Sequence, residues 1–183
     1  MDIERELKRE LSFAPFIEEI LANNAGKIHA AGIKVFTLQK ASAKDDTENG
    51  FDFVFTMGNF TVPVRIRKPD CRYRDFTIRT RSRGGGRTEI QKLMDGAGDV
   101  YFYAWTAFIN NAEAIVDWVL IDLHVFRSSY LMTDQFLKTK REMLNIDGTK
   151  FISFGIKELE EVNCIICKQA AGKANVNGQL KIF

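Results

Sequence analysis

The amino-acid sequence predicts a mixed α+β fold, because short apolar strands alternate with amphipathic helices along the 183 residues. Hydrophobic residues make up 45% of the chain and charged residues 27%, which is typical of a globular protein. A chain of this length buries about two-thirds of its unfolded surface in one core without disulfides or metals. We therefore expect a single domain over residues 1–183.

The first half of the chain predicts helices followed by strands. Residues 2–23 carry apolar side chains at roughly helical spacing, with a break at Pro15. The Gly58 and Asn59 turn predicts a hairpin that a further strand extends into a meander. Pro63 predicts that its strand lies near an edge or a bulge. The predicted strands of this half cover 33–39, 51–57, 60–68 and 75–83.

The second half predicts a capped helix and a set of buried strands. Thr88 lies three residues before Gln91, a capping-box spacing that predicts a helix over 88–96. Thr133 is typical of the N-cap of another helix. The aromatic residues Tyr101, Tyr103, Trp105 and Trp118 are expected in the core. The remaining predictions are strands at 100–108, 114–126 and 151–159, a helix at 133–145, and a further strand in 160–183.

Positive charge is concentrated in one block of the sequence. The formal net charge is only +2, so the whole chain does not have the composition of a strongly basic nucleic-acid binder. The segment 65–87 nevertheless holds nine basic residues against Asp70 and Asp75. The basic residues are Arg65, Arg67, Lys68, Arg72, Arg74, Arg79, Arg81, Arg83 and Arg87.

Other sequence features narrow the class of protein. No apolar run reaches the roughly 18 residues of a spanning helix, and the charged start lacks a signal-peptide core, so we expect a cytoplasmic protein without a membrane partner.

Three cysteines are too few for a disulfide framework. Cys164 and Cys167 form a CxxC that predicts either two buried core residues or part of a zinc site. A zinc site would need two more ligands, and the soft or imidazole donors that remain are Cys71, His29 and His124.

One strand carries the pattern that bears most on function. Alternation along residues 60–68 sends Pro63, Arg65 and Arg67 to one face of the strand and apolar residues to the other. Asp52 opens the strand before it. With the element order around them, these residues resemble the core of the PD-(D/E)XK restriction-endonuclease-like superfamily. The resemblance covers about residues 10–125, implies a central mixed sheet flanked by helices, and leaves 126–183 as a C-terminal extension.

The resemblance also implies where a catalytic site would lie. In that family, an acidic residue at the start of the second core strand and a Glu-x-Lys pair on the third hold a divalent metal. Asp52 occupies the first position here, whereas Arg65 and Arg67 occupy the positions of the glutamate and lysine. A guanidinium has no lone pair to offer Mg²⁺ and would repel it. The resemblance therefore implies the fold more strongly than the reaction.

Glu89 has two possible roles in a site that lacks the glutamate and lysine of the family. Some members of the family carry the metal-binding glutamate on the neighbouring helix, so Glu89 could be a migrated ligand, with Lys92 on the same helical face. Mg²⁺-dependent phosphodiester hydrolysis would then use Asp52 and Glu89 as ligands and Lys92 or Arg67 to stabilise the developing charge. The structural alternative is that Glu89 stabilises its helix N-terminus and pairs with Arg65 or Arg67.

The arginines themselves predict an anion-binding face. If strands 60–68 and 75–83 were neighbours, Arg65, Arg67, Arg79 and Arg81 would share one surface, and like charges so close need carboxylates or a bound polyanion. Tyr73 could stack on bases, whereas Phe76 alternates towards the core. Residues Arg65, Arg67, Lys68, Arg79, Arg81, Arg83 and Arg87 are the predicted nucleic-acid contacts.

Two functions of different classes follow from this pattern. The first is a nucleic-acid-binding protein with a nuclease-like fold. Its expected ligand is DNA in preference to RNA, and a homodimer is one expected assembly. Its catalytic site is either degenerate or rearranged around Mg²⁺. The alternative is a non-catalytic viral or mobile-element factor that uses the same arginines on an acidic protein or a phosphorylated ligand.

Overall fold

A computed structural model gives the architecture of the chain. It describes residues 8–9, 12–30, 53–57, 60–69, 71, 73–82 and 86–169, with the side chains at 25, 29–30, 53–57 and 60 excepted. The predicted strand at 33–39 and the predicted site residues Asp52 and Arg83 lie outside the described residues. The described elements form two sheets and several short helices, which confirms the mixed α+β class.

The larger sheet has five strands in the order β1-β2-β4-β5-β8. Strands β1 and β2 form the predicted hairpin, β2 and β4 are parallel, and the remaining pairs are antiparallel. Pro63 pairs with Val54 of β1 and lies one residue before the ladder between β2 and β4 begins at Val64. The strands are β1 (Phe53–Met57), β2 (Phe60–Arg67), β4 (Val100–Ile109), β5 (Ala112–Asp122) and β8 (Ile165–Lys168).

The smaller sheet has three antiparallel strands in the order β3-β7-β6. They are β3 (Asp75–Arg81), β6 (Met143–Leu144) and β7 (Lys150–Gly155). The predicted meander is therefore wrong in its third strand, because β3 pairs with β7 instead of β2. Strand β2 already has β1 on one side and β4 on the other, so it has no free edge for β3.

The helices cover both faces of the larger sheet. Helix α1 (Ala14–Asn23) carries Pro15 in its first turn, where proline is tolerated, so Pro15 begins the helix. Helix α3 (Glu89–Met94) has the predicted capping box between Thr88 and Gln91. The other helices are α2 (Ala25–Ala30), α4 (Leu123–Ser128), α5 (Asp134–Leu137) and α6 (Ile156–Glu161), with a 3₁₀ turn at Tyr130–Met132.

Two predicted elements end earlier than the sequence indicated. The strand predicted over 114–126 stops at Asp122, whose carboxylate accepts hydrogen bonds from the backbone N–H groups of His124 and Val125 and so caps α4. The helix predicted over 133–145 has the predicted Thr133 cap but ends at Leu137. Its C-terminal part instead contributes β6, the edge of the smaller sheet.

Two apolar clusters lie on opposite faces of the larger sheet. One packs α1 and α2 against Val62, Val64 and Ile66 of β2, and the other packs the smaller sheet and α3–α6 against the opposite face. Strand β4 is buried on both sides, with Phe102 and Ala104 in the first cluster and Tyr101, Tyr103 and Trp105 in the second. The described layers are thus helices, five-stranded sheet, and three-stranded sheet with further helices.

Strands from the predicted C-terminal extension pair with strands of the predicted core. Strand β7 forms its ladder with β3, and β8 forms its ladder with β5. Residues after 126 therefore complete both sheets. The face of β2 that carries Arg65 and Arg67 is directed at β3 by this arrangement, since both arginines donate to Thr77.

Candidate anion-binding site at the junction of the two sheets

The centre of the site is Glu89, the first residue of α3. Its side chain is 4% exposed and accepts three hydrogen bonds. Oε2 accepts from Arg65 Nη1 at 3.1 Å and from the backbone N–H of Arg79 at 2.9 Å. Oε1 accepts from the Tyr101 hydroxyl at 2.9 Å. The carboxylate is therefore satisfied by protein donors from three different strands.

The Arg65 and Glu89 ion pair covers the free edge of β3. Residues two apart on a strand direct their backbone groups to the same edge, and this edge of β3 has no strand partner among the described residues. Arg65 donates to the Thr77 carbonyl at 3.4 Å, and Glu89 accepts from the Arg79 N–H. Unpaired strand edges need covering, so the ion pair fixes the smaller sheet against the larger one.

A second group of polar contacts lies beside the first. The hydroxyls of Thr77 and Tyr103 are 2.8 Å apart in the buried interior. Arg67 Nη1 lies 3.5 Å from Thr77 Oγ1, and Arg67 Nε and Nη2 each lie 3.5 Å from Cys71 Sγ. The two arginines of β2 thus have partners within the protein.

The pKa values of this group respond to its burial. Burial raises the pKa of Tyr103, and the nearby Arg67 and Arg65 guanidinium groups oppose that rise without cancelling it. Burial lowers the pKa of Arg67, but its neighbours Tyr103 and Cys71 outweigh burial and the net direction is upward. Arg67 therefore stays charged and Tyr103 stays neutral across the physiological range.

The prediction that four arginines share one face of two adjacent strands is wrong, because β2 and β3 belong to different sheets. Arg65 and Arg67 lie on β2 and face inwards, whereas Arg79 and Arg81 lie on β3 in the other sheet and are exposed. Thr77 contacts the inner pair, whereas a bulge in the pairing of β3 with β7 lies between Arg79 and Arg81, so strand alternation does not continue through the outer pair. The inner arginines contact protein groups, and the outer arginines have exposed side chains, with Arg81 near Glu142.

The other described basic residues of this part of the chain, including the predicted contacts Lys68 and Arg87 and the predicted catalytic Lys92, occupy different surroundings. Lys68 is exposed just after the end of β2, and Lys92 is 8% exposed on α3. Arg87 is exposed and forms an ion pair with Asp95 across α3. Arg74 is half-exposed, with its guanidinium carbon 5.7 Å from the centre of the Trp105 ring and Nε 3.8 Å from Asp117 Oδ2.

The described residues fit Mg²⁺ poorly. Magnesium needs carboxylate oxygens and water in near-octahedral geometry. The Glu89 oxygens already accept from the Arg65 guanidinium, the Tyr101 hydroxyl and the backbone N–H of Arg79. Within the described ranges, no group of three or more His, Cys, Asp or Glu side chains could hold a metal ion. Glu89 forms an ion pair with Arg65, which is the contact that the structural alternative predicted. Asp52, the other predicted ligand, lies outside the described residues, so the metal site stays a prediction.

The cysteines and His124 have structural surroundings. Cys164 and Cys167 are buried free thiols, and burial raises their pKa values to about 12 and about 11. His124 lies in the first turn of α4 instead of in a strand, and its Nε2 is 3.0 Å from Asp99 Oδ1. Arg127 donates to His124 Nδ1 at 3.1 Å.

Sequence reasoning assigned Tyr101 and Tyr103 to the core and missed their hydroxyl contacts with Glu89 and Thr77. A usable signal was present, since a buried tyrosine needs a partner for its O–H group. Tyrosines at alternate positions of a strand that is otherwise apolar therefore indicate polar atoms on the facing layer. Glu89 and Thr77 supply those atoms.

Comparison with known proteins adds no relative. No family model matches the sequence, and neither the curated proteins nor the solved structures contain a significant match to it. In the part of the chain that the structure describes, no helix is both long and apolar enough to cross a membrane.

Proposed function

We propose that this chain is a nucleic-acid-binding protein of the restriction-endonuclease-like type whose metal site has become an internal ion pair. The observation that carries the proposal is the division of its arginines into two pairs. Arg65 and Arg67 donate hydrogen bonds to protein groups, whereas Arg79 and Arg81 are exposed on β3. Arginine forks match phosphate oxygens, and a polynucleotide backbone supplies neighbouring phosphates for both exposed side chains.

The chain connectivity supports the nuclease-like part of the proposal. A hairpin of β1 and β2 leads through α3 to β4, which lies parallel to β2, and this sequence of strand, helix and parallel strand suits the family core. The excursion of β3 into a second sheet is a departure from the three-stranded meander that the resemblance implied.

Loss of catalysis is the second part of the proposal. Mg²⁺ at Glu89 would have to displace Arg65 and leave that guanidinium, 11% exposed in its side chain, beside a divalent cation. Such an arrangement removes the Glu89 carboxylate from a buried guanidinium, and breaking a buried ion pair costs about 3–5 kcal/mol. The same residues hold two sheets together when the pair is intact, so the ion pair is favoured over the metal.

Binding of labelled nucleic acid tests the proposal. We expect fluorescence anisotropy to detect binding of a 30-nucleotide DNA or RNA at low salt, with affinity falling as salt rises because counterions are released. Replacing Arg79 and Arg81 by glutamate should weaken binding more than about tenfold and reduce the salt slope by about 2. Comparison of DNA with RNA tests the expected preference for DNA.

The matched control changes the same amount of charge elsewhere. Lys27 on α2 and Lys157 on α6 are exposed, and their joint replacement by glutamate alters the net charge equally. We expect this control to bind within about threefold of the unmodified protein. Equal losses in both variants, or no binding to any nucleic acid at the lowest salt, would contradict the proposal. Polyglutamate that competes as well as DNA of equal charge would favour an acidic protein ligand instead.

A further inference from the structure

Tyr73 differs from the other tyrosines of the chain. The sequence has four, and Tyr101 and Tyr103 are fully buried with hydrogen-bonded hydroxyls. Tyr130 donates to Glu161 and packs edge-on against Phe136 at 5.2 Å between ring centres. The Tyr73 ring is 75% exposed, and within the described residues it makes neither a ring contact nor a side-chain hydrogen bond.

The backbone that carries Tyr73 is held in place on both sides. The Cys71 thiol donates to the Tyr73 carbonyl at 3.5 Å, and Cys71 is itself in contact with Arg67. On the other side, Arg74 lies over the Trp105 ring and pairs with Asp117. The exposed ring is therefore presented from a fixed position beside cationic side chains.

The position of Tyr73 relative to the exposed arginines sets the length of the surface. Tyr73 precedes β3 by two residues, and Arg79 and Arg81 lie towards the other end of that strand. Phe76, Thr77 and Ile78 between them are buried and a bulge lies between Arg79 and Arg81. Tyr73 and Arg79 are therefore two separate contact points, at most roughly 20 Å apart at about 3.3 Å per residue. This length suits a site for several nucleotides, in which phosphates contact the arginines and one base meets the phenol ring.

We infer that this surface binds single-stranded nucleic acid, with an unpaired base stacked on Tyr73. The inference rests on the proposed function and names its substrate class. A base in a duplex is already stacked between its neighbours and paired, so its face is closed to an external ring. An unpaired base offers its face to an aromatic side chain, and every base has such a face, so the contact does not depend on sequence.

A comparison of single-stranded with duplex DNA tests the inference. Tyr73→Ala should weaken binding of a 20-nucleotide single strand by about 5- to 100-fold, as expected for loss of one base stack, and should leave duplex binding within about twofold. Tyr73→Phe keeps the aromatic face and should restore single-strand affinity. Tyr130→Ala, which removes another exposed tyrosine ring, is the control and should change neither affinity.

An abasic strand separates stacking from other contacts of the ring. If the strand lacks its bases, Tyr73→Ala should have no further effect, because no base remains to stack. Equal losses on single-stranded and duplex DNA, or no loss on either, would overturn the inference. The proposed function would still stand if Arg79→Glu with Arg81→Glu weakened binding more than about tenfold. Absence of binding by the unmodified protein would overturn both.

Discussion

At the scale of single residues, Glu89 explains how the junction between the two sheets is closed. The Thr88 cap places its carboxylate at the start of α3, where a negative charge also suits the helix dipole. From that position it reaches Arg65 of β2, the N–H of Arg79 and the hydroxyl of Tyr101. One side chain therefore joins β2, β3, β4 and α3.

Replacement of Glu89 tests this role. We expect Glu89→Ala to lower the free energy of unfolding by about 3–5 kcal/mol in a urea titration, because the buried Arg65 guanidinium would lose the Glu89 carboxylate. The double variant Arg65→Met with Glu89→Leu removes both charges and should be less destabilised than Glu89→Ala alone. Glu18→Ala, at an exposed position of α1, is the control and should stay within about 0.5 kcal/mol. A Glu89→Ala protein as stable as this control would show that the carboxylate holds nothing together.

The sequence allowed part of this site to be predicted. Glu89 and Arg65 were recognisable as possible partners because helix capping and strand alternation are local patterns. The contact of Glu89 with the backbone of Arg79 was not predictable, since it depends on which sheet β3 joins. Alternation along β3 shows only that one face is buried, and it carries no information about the strand on either side.

At the scale of elements, the turn between α3 and β4 fixes the approach of the helix to the sheet. Gly96 and Gly98 both have positive φ angles, of 90° and 75°. A Cβ on Gly98 would lie 3.0 Å from Leu123 Cδ1 and 3.0 Å from Pro63 Cγ, whereas one on Gly96 would meet nothing within 4 Å. The two positions therefore share backbone strain and differ in packing.

Alanine at each glycine separates these effects. We expect Gly96→Ala to cost about 1–2 kcal/mol of unfolding free energy from the left-handed backbone alone. Gly98→Ala should cost a further 1–3 kcal/mol or so, because the new methyl group overpacks the contact with Pro63 and Leu123. Thermal or urea unfolding of both variants provides the measurement. Equal costs would mean that the turn moves away from the sheet to make room.

The hairpin of β4 and β5 binds the segment before α1 through a second ion pair. Arg9 Nε lies 3.0 Å and 2.9 Å from the two carboxylate oxygens of Glu113, and the Thr106 hydroxyl donates to Glu113 Oε1 at 2.6 Å. Burial raises the pKa of Glu113, but the hydrogen bonds from Arg9 and Thr106 outweigh burial and lower it below the ordinary value of 4.5.

The direction of that shift gives a pH dependence. A carboxylate with a lowered pKa stabilises the fold above its unfolded value, and this contribution is lost as pH falls through the folded value. We expect Glu113→Gln to be less stable than the unmodified protein at pH 7, by up to about 1 kcal/mol, and to approach it in stability near pH 3. Urea titrations at both pH values measure the difference, with Glu18→Gln as control. A difference that persists at low pH would contradict the assignment.

The elements also mark where local sequence patterns stop being sufficient. The hairpin of β1 and β2 and the cap at Thr88 were predictable because their signals lie within a few residues. The length of α5 was not predictable, since its periodic charges continue past Leu137 although the chain turns there to supply β6. Pairing with β7 overrides helix propensity at Met143 and Leu144.

At the scale of the whole molecule, the Arg65 and Glu89 ion pair connects the two sheets. The α+β class was predictable from the alternation of elements, but the division into two sheets follows from long-range pairing of β3 with β7. That division directs Arg65 and Arg67 inwards and leaves Arg79 and Arg81 outside. The inner pair contacts groups of the junction, and the outer pair is the one that the proposed function assigns to an anionic ligand.

The central claim is that Arg65 and Glu89 form a structural pair in place of a metal site. A crystal of the protein soaked in Mn²⁺, a carboxylate-preferring ion with anomalous scattering, tests it most directly. We predict that Arg65 Nη1 stays in contact with Glu89 Oε2, at 3.1 Å in this structure, and that no ion appears beside Glu89. Mn²⁺ within about 2.0–2.6 Å of a Glu89 oxygen, with Arg65 displaced, would contradict the claim.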